Sequence, residues 1–87
     1  MSYRLVYTRQ ARKDAKKLKG TDLAKKAKEL LEFIGKTPLG DPPPFEALVG
    51  DLRGAYSRRL NIQHRLVYEI IEDEQVIKVL RLWSHYE

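Results

Sequence analysis

The sequence predicts an α+β domain in the order β-α-α-β-β-β, with an N-terminal helical hairpin packed on a mainly antiparallel, twisted sheet. Three observations predict this fold class. Apolar residues recur at helical spacing in the first 36 residues, a proline-rich stretch follows, and residues from Ala55 onward alternate as strands do. With 87 residues, we expect a single domain over residues 1–87, because a second core could not be built from what remains.

The first half of the chain predicts one strand and two helices. Residues 3–7 are rich in β-formers, which predicts a short strand. Helical spacing then recurs at Ala11, Ala15 and Leu18, and again at Leu23, Ala27, Leu30, Leu31 and Ile34. Thr8 and Thr21 stand where N-caps are expected, and Gly20 and Gly35 stand where helices commonly end.

The second half predicts a connector followed by three strands. Residues 37–44 contain three consecutive prolines, which exclude a helix or a central strand and predict an extended connector. Residues 56–60, 66–71 and 76–83 show the alternation and the β-branched and aromatic residues that are typical of strands. The acidic residues 72–74 supply a polar turn between the last two strands.

Composition narrows the function classes. Seventeen Lys and Arg against twelve Asp and Glu give a net charge of +5, which favours an anionic partner such as nucleic acid, or simply a lysine-rich solvated helix face. The absence of cysteine excludes disulfides and thiolate metal sites. There is neither a signal-peptide pattern nor an apolar run near the ~18 residues that span a bilayer, so we expect a soluble, cytoplasmic protein without a membrane partner.

Two arginines provide the strongest physical argument for a site. If the hairpin turn lies near Ile62, Arg59 and Arg65 fall at or near opposing positions on paired strands, where like charges destabilise a sheet. An anion between them would relieve that repulsion, and guanidinium groups match phosphate oxygens well. The alternative is that one arginine pairs with Glu69 or Asp51 while the other faces solvent.

Other residues near these strands have less specific roles. Alternation places Arg58 on the opposite face of the sheet, and His64 is expected to serve the turn or the structure rather than catalysis. Phe45 and Trp83 are candidates for stacking on nucleic-acid bases, although aromatic residues also pack in cores, the role we favour for Tyr56.

Three segments together resemble a known family. The run Glu46-Ala-Leu-Val-Gly-Asp-Leu-Arg-Gly-Ala-Tyr-Ser-Arg-Arg-Leu60 is followed by His64-Arg-Leu-Val-Tyr68, and Trp83-Ser-His-Tyr86 lies near the end. This combination, at this spacing, resembles the signature of the Txe/YoeB family of bacterial toxins, and the upstream strand and helical pair match it in order and length.

The resemblance implies a RelE-like fold, cleavage of messenger RNA in the ribosomal A site, and inhibition by a cognate antitoxin of the YefM/Axe type. The family's catalytic positions, carried over residue by residue, are Glu46, Arg59, Arg65, His85 and Tyr86. The chain departs from the family pattern at three positions. Val49 stands where a basic residue is common, and Ala47 stands in place of proline. Glu87 follows Tyr86, whereas the best-known members end on the tyrosine.

These residue types suit RNA cleavage without a metal or another cofactor, because the two histidines show no metal-ligand spacing. The apolar setting of Glu46 would desolvate its carboxylate and make it a better base, although it could also be a loop glutamate paired with Arg53. His85 is the candidate acid or else a frayed terminal residue, with Tyr86 in support. Arg81, on the same strand face as His85, is a further candidate for binding phosphate.

Two other functions remain open. A relative of the ParE type would poison a protein target such as DNA gyrase without being an enzyme, and a simple RNA-binding module would not cleave. Neither of these two functions needs an acid or a base, whereas a nuclease needs both. The roles of Glu46 and His85 therefore discriminate a nuclease from the two alternatives. The free chain could be a monomer or a homodimer.

Overall fold

A computed structural model of the chain describes residues 2–41, 44–61 and 64–82. Within these ranges the helices and strands are β1 (Arg4–Tyr7), α1 (Arg9–Leu18), α2 (Leu23–Lys36), β2 (Glu46–Ala47), β3 (Ala55–Arg59), β4 (Arg65–Ile71) and β5 (Val76–Arg81). The strands form one sheet in the order β1-β5-β4-β3-β2. Strand β1 runs parallel to β5, and the other neighbouring strands are antiparallel. The predicted α+β class and mainly antiparallel sheet are therefore confirmed.

Strand β2 was not predicted, because the first strand expected after the connector begins at Tyr56. Its two residues are too few to show alternation in the sequence. They form a strand because they pair with β3, with Glu46 opposite Ser57 and Ala47 opposite Tyr56. The pairing places Glu46 on the edge of the sheet.

The predicted helix ends are correct at two of four positions. The Thr8 hydroxyl accepts a hydrogen bond from the Ala11 N–H at 3.0 Å, and Gly20 follows α1 with a positive φ of 86°. The N-cap of α2 is Asp22 rather than Thr21, one residue later than predicted. The prediction that Gly35 lies beyond α2 is wrong, because the helix continues to Lys36 and the Gly35 carbonyl accepts a hydrogen bond from the Tyr3 N–H at 2.7 Å.

The core lies between the helices and one face of the sheet. Buried side chains of both helices meet alternate residues of β4 and β5, and the leucines that follow β3 and β5, in one cluster. Its members are Ala11, Leu18, Ala27, Leu30, Ile34, Leu60, Leu66, Tyr68, Ile77, Val79 and Leu82. The lysines of both helices are exposed, as predicted. In the described part of the chain, no helix is both long enough and apolar enough to cross a membrane.

Candidate active site

The end of the β3–β4 hairpin brings two arginines face to face. Arg59 and Arg65 are direct partners across the antiparallel strands, so their predicted opposition is confirmed. The Leu60 N–H donates to the His64 carbonyl at 2.8 Å, and the His64 N–H donates to Asn61 Oδ1 at 2.7 Å. The backbone of His64 thus helps to close the turn, which fits the structural role expected for this residue.

A carboxylate lies beside this arginine pair. Arg65 Nη1 donates to Glu46 Oε1 at 3.2 Å, although the two residues lie 19 positions apart in the chain. The expected desolvation of Glu46 is wrong, because its side chain is 69% exposed on the edge strand. Its ion-pair partner is Arg65 and not Arg53, the candidate that the sequence suggested. An exposed ion pair of this kind is weak, typically about 0–1 kcal/mol, so a competing anion can open it.

Arg58 fixes the connector that leads to Glu46. Its side chain is buried, with the residue 1% exposed, and Nη2 donates to the carbonyls of Pro38 and Gly40 at 3.0 and 2.9 Å. Its Nε donates to the Tyr68 hydroxyl at 3.0 Å, and the guanidinium lies 5.1 Å from the centre of the Phe45 ring. The connector is therefore held near its start by hydrogen bonds and, one residue before Glu46, by a cation–π contact.

The contacts of Arg58 also affect the pKa of the buried Tyr68. Burial raises the pKa of the Tyr68 hydroxyl, while the hydrogen bond and the charge of Arg58 act in the opposite direction. That hydroxyl also donates to the Pro38 carbonyl at 2.6 Å. The buried side chain of Tyr68 thus holds the connector through a second residue. Sequence alternation had placed Arg58 away from Arg59 without revealing this role.

A groove of about 680 Å³ runs past the Arg59–Arg65 pair. One helix, the end of the connector and three strands line it with Lys26, Glu29, Leu30, Phe33, Pro44, Phe45, Glu46, Ser57, Arg59 and Arg65. It therefore combines an apolar and aromatic wall with cations and carboxylates. Sequence patterns did not identify the residues that α2 contributes, because helical spacing shows which face is apolar but not which strand that face approaches.

Ser57 is a further residue that the sequence analysis missed. It lies on β3 directly opposite Glu46, it is 2% exposed, and it lines the groove. Its Oγ is buried and has no hydrogen-bond partner. An unpartnered buried hydroxyl is unusual in a folded protein. The sequence signal available was its position between Tyr56 and the two arginines, which did not distinguish it from an ordinary strand serine.

Of the remaining candidate site residues, Phe45 lies at the groove and Arg81 is paired elsewhere. Arg81 is engaged elsewhere, because its Nε donates to the fully buried Asp14 carboxylate at 2.8 Å. We therefore leave Arg81 out of the phosphate site proposed below. The Phe45 ring lines the groove and meets the Tyr56 ring edge-on at 5.7 Å between centroids. Trp83, His85 and Tyr86 lie outside the described residues.

Comparison with known proteins places this geometry in context. Residues 7–86 match the family model for the YoeB-like toxin of bacterial type II toxin-antitoxin systems. Toxin YoeB of Escherichia coli (strain K12) is 36% identical over 64 residues, which make up 74% of each chain. The solved YoeB/ParE toxin from Agrobacterium tumefaciens is similar with a TM-score of 0.87 and 30% identity, over 95% of this chain and 99% of that one. A chain of the heterotetrameric YoeB-YefM toxin-antitoxin complex from Staphylococcus aureus gives a TM-score of 0.80 and 34% identity, over 99% of this chain and all (100%) of that one.

Proposed function

Because the chain belongs to the family of YoeB-like toxins of bacterial type II toxin-antitoxin systems, we propose that it is an endoribonuclease that cuts messenger RNA on the ribosome and so inhibits translation. The observation that carries this proposal is the direct opposition of Arg59 and Arg65, with Glu46 at 3.2 Å from Arg65. Two guanidinium groups beside a carboxylate supply a place for a phosphate and a base next to it.

The proposed reaction needs no metal. The ribose 2′-oxygen attacks the adjacent phosphorus while Glu46 accepts the 2′-OH proton, and Arg59 and Arg65 bind the non-bridging oxygens, on which negative charge accumulates. The bond to the 5′-oxygen breaks, and His85 donates a proton to that oxygen, with Tyr86 in support. The products are a 2′,3′-cyclic phosphate and a 5′-hydroxyl end. For this chemistry, phosphate must replace Glu46 on Arg65, which the weakness of their exposed ion pair allows.

The groove offers room for the RNA nucleobase next to the phosphodiester bond that is cleaved. The Phe45 ring lines it, and a planar aromatic side chain can stack on an unpaired RNA base. We propose the same role for Trp83. The exposed lysines of both helices would favour approach to the anionic ribosome through long-range attraction, and this attraction should weaken with salt.

The test is cleavage of a message bound to ribosomes, with analysis of the product ends. We expect cyclic or 3′-phosphate ends in the wild type, and losses of at least roughly a hundredfold in rate for Glu46→Gln and for His85→Ala. Glu32→Gln is the matched control, since Glu32 is an exposed glutamate on α2 that is not among the groove residues. Translation arrest that survives both substitutions would contradict the proposed nuclease, and binding without cleavage would indicate an RNA-binding module.

We also propose an antitoxin partner. The solved relative from Staphylococcus aureus is a YoeB-YefM toxin-antitoxin complex. The basic groove around Arg59 and Arg65 would attract an acidic, partly disordered antitoxin segment, which would occlude the site. A competition experiment between antitoxin peptide and RNA measures this, and simultaneous binding without loss of activity would contradict occlusion.

A further inference from the structure

The Ser57 hydroxyl has no hydrogen-bond partner in the structure, although it is buried. The residue is 2% exposed, and its Oγ is the unsatisfied buried side-chain polar atom found within the described ranges. Removing a hydroxyl from water without giving it a partner opposes folding. Serine at this position therefore weakens the fold relative to alanine, so stability does not account for the hydroxyl.

Those surroundings contain the proposed base. Ser57 and Glu46 are direct partners across β3 and β2, and they share one face of the sheet. Side chains in such positions have Cβ atoms about 4.5–5.5 Å apart, which places a glutamate carboxylate within reach of a serine hydroxyl. In the present structure, the Glu46 carboxylate instead reaches across β3 to Arg65 on β4. The ion pair thus spans the strand that carries Ser57.

Binding of RNA would change this arrangement. If the phosphate takes Arg65, as the proposed function requires, Glu46 loses its ion-pair partner at the moment when it must act as a base. Ser57 Oγ is the unengaged donor on the strand next to it. We propose that Ser57 is a positioning residue that holds the Glu46 carboxylate once the RNA phosphate has displaced it from Arg65.

The proton balance is simple. Ser57 Oγ–H donates a hydrogen bond to one carboxylate oxygen and keeps its proton throughout. The other oxygen of Glu46 remains available to accept the proton of the 2′-OH. The hydroxyl therefore orients the base and stabilises its charged form without entering the bond-making steps. This role rests on the proposed function and identifies a device within that site.

Single-turnover cleavage of ribosome-bound message, measured against pH and toxin concentration, tests the role. We expect Ser57→Ala to lower the saturating rate roughly tenfold, the size that one hydrogen bond to a charged group supports. The half-saturating toxin concentration should stay unchanged, and the acid limb of the rate profile should move to higher pH. In a Glu46→Gln background, Ser57→Ala should change the rate less than about twofold.

Several results would overturn the proposal. One is that Ser57→Ala cleaves at the wild-type rate with an unmoved acid limb. Another is that Ser57→Ala slows cleavage as much in the Glu46→Gln background as in the wild type. A third is that Ser57→Ala raises the half-saturating toxin concentration and leaves the saturating rate unchanged. The last result would mean that the hydroxyl contacts RNA directly.

A matched hydroxyl deletion separates this role from a structural one. The Thr21 hydroxyl is engaged, since it donates to the Leu18 carbonyl at 2.6 Å and accepts from the Leu23 N–H at 3.2 Å. Thr21→Val should therefore lower the melting temperature and leave cleavage unchanged. Ser57→Ala should do the reverse, slowing cleavage without lowering the melting temperature. A melting temperature that falls as far as in Thr21→Val would mean that Ser57 is structural.

A second measurement does not depend on cleavage. Arg65→Met removes the ion-pair partner of Glu46, as a bound phosphate would, and the crystal structure of this variant shows where the carboxylate goes. We expect a Glu46 oxygen within hydrogen-bond distance of Ser57 Oγ. A carboxylate turned to solvent, with the serine still unpartnered, overturns the positioning role even if the toxin is a ribonuclease. If the wild type cleaves no message, the proposed function fails, whereas this crystallographic result still decides whether Ser57 takes the carboxylate.

Discussion

Replacement of Arg58 by methionine should destabilise the fold and loosen the connector that carries Glu46. Methionine keeps an unbranched side chain that can fill most of the space, so the effect reports lost polar contacts rather than a large cavity. Arg58→Met removes the donors to Pro38, Gly40 and Tyr68. It also removes the cation that lies 5.1 Å from the Phe45 ring centre and 5.4 Å from the Phe33 ring centre.

The magnitude follows from what each acceptor keeps. The Pro38 carbonyl retains the Tyr68 hydroxyl at 2.6 Å, whereas the Gly40 carbonyl loses its bond from Arg58. Hydrogen bonds to charged groups contribute about 1.5–3 kcal/mol each, but relief from burying a cation offsets part of that loss. We therefore expect a net loss of about 2 kcal/mol in the free energy of unfolding. For a domain of this size, the melting temperature should fall by about 8–16 °C.

Urea and thermal unfolding, combined with hydrogen–deuterium exchange, measure both parts of the effect. Exchange should accelerate most in peptides that cover the connector between α2 and β3, beyond the smaller increase that the lower global stability causes in the rest of the fold. The neighbouring Arg59→Met is the matched control, because Arg59 is exposed on the opposite face of the same strand and its replacement should not destabilise the fold. If Arg58→Met is as stable as the wild type, or if exchange rises equally across β4 and β5, then Arg58 does not anchor the connector.

Three further predictions concern charge. Arg59→Met should stabilise the free protein by about 0.2–1 kcal/mol while cleavage falls, because it removes a like charge directly opposite Arg65; urea unfolding should show the gain shrinking as salt is added. Arg81→Met should lower the free energy of unfolding by about 3 kcal/mol, because it removes a cation that lies 2.8 Å from the fully buried Asp14 carboxylate. In urea unfolding, Asp14→Asn should lower that free energy by less, and equal losses would contradict this account. Burial raises the pKa of Tyr68 above its ordinary value of 10.0, so its contribution to stability is fully present below that pH and is lost as pH rises through the folded-state pKa. Absorbance titration at alkaline pH should show a late-ionising tyrosine that Tyr68→Phe removes.

The features that could be predicted from the sequence are those set by neighbours along the chain. Helical spacing and strand alternation gave the element order, since they record which side of each element is buried. The opposition of Arg59 and Arg65 was predictable because a short hairpin loop fixes the register of its two strands. The turn at residues 72–74 was predictable because three polar residues separate two strand patterns, and it forms a short 3₁₀ turn at Glu72–Glu74.

Other features depend on segments that lie far apart in the chain and could not be predicted. Strand β2 exists because it pairs with β3, and Gly35 stays helical where the start of the chain packs against it. Glu46 reaches Arg65 across 19 positions, and Arg81 reaches Asp14 across 67. The proposed roles of His85 and Tyr86 still rest on the family resemblance, because these residues lie outside the described ranges.

Periodicity along a strand specifies which face of the sheet a side chain occupies. For this reason the alternation of β3 was enough to assign Arg58 and Arg59 to opposite faces. It does not specify what that face meets, because a partner is chosen by the packing of segments far apart in the chain. The tethering of the connector by Arg58 and the unpartnered hydroxyl of Ser57 both depend on such packing. The sequence therefore specifies the chemical groups of the site, whereas the contacts that orient and restrain them depend on how the connector packs against the edge of the sheet.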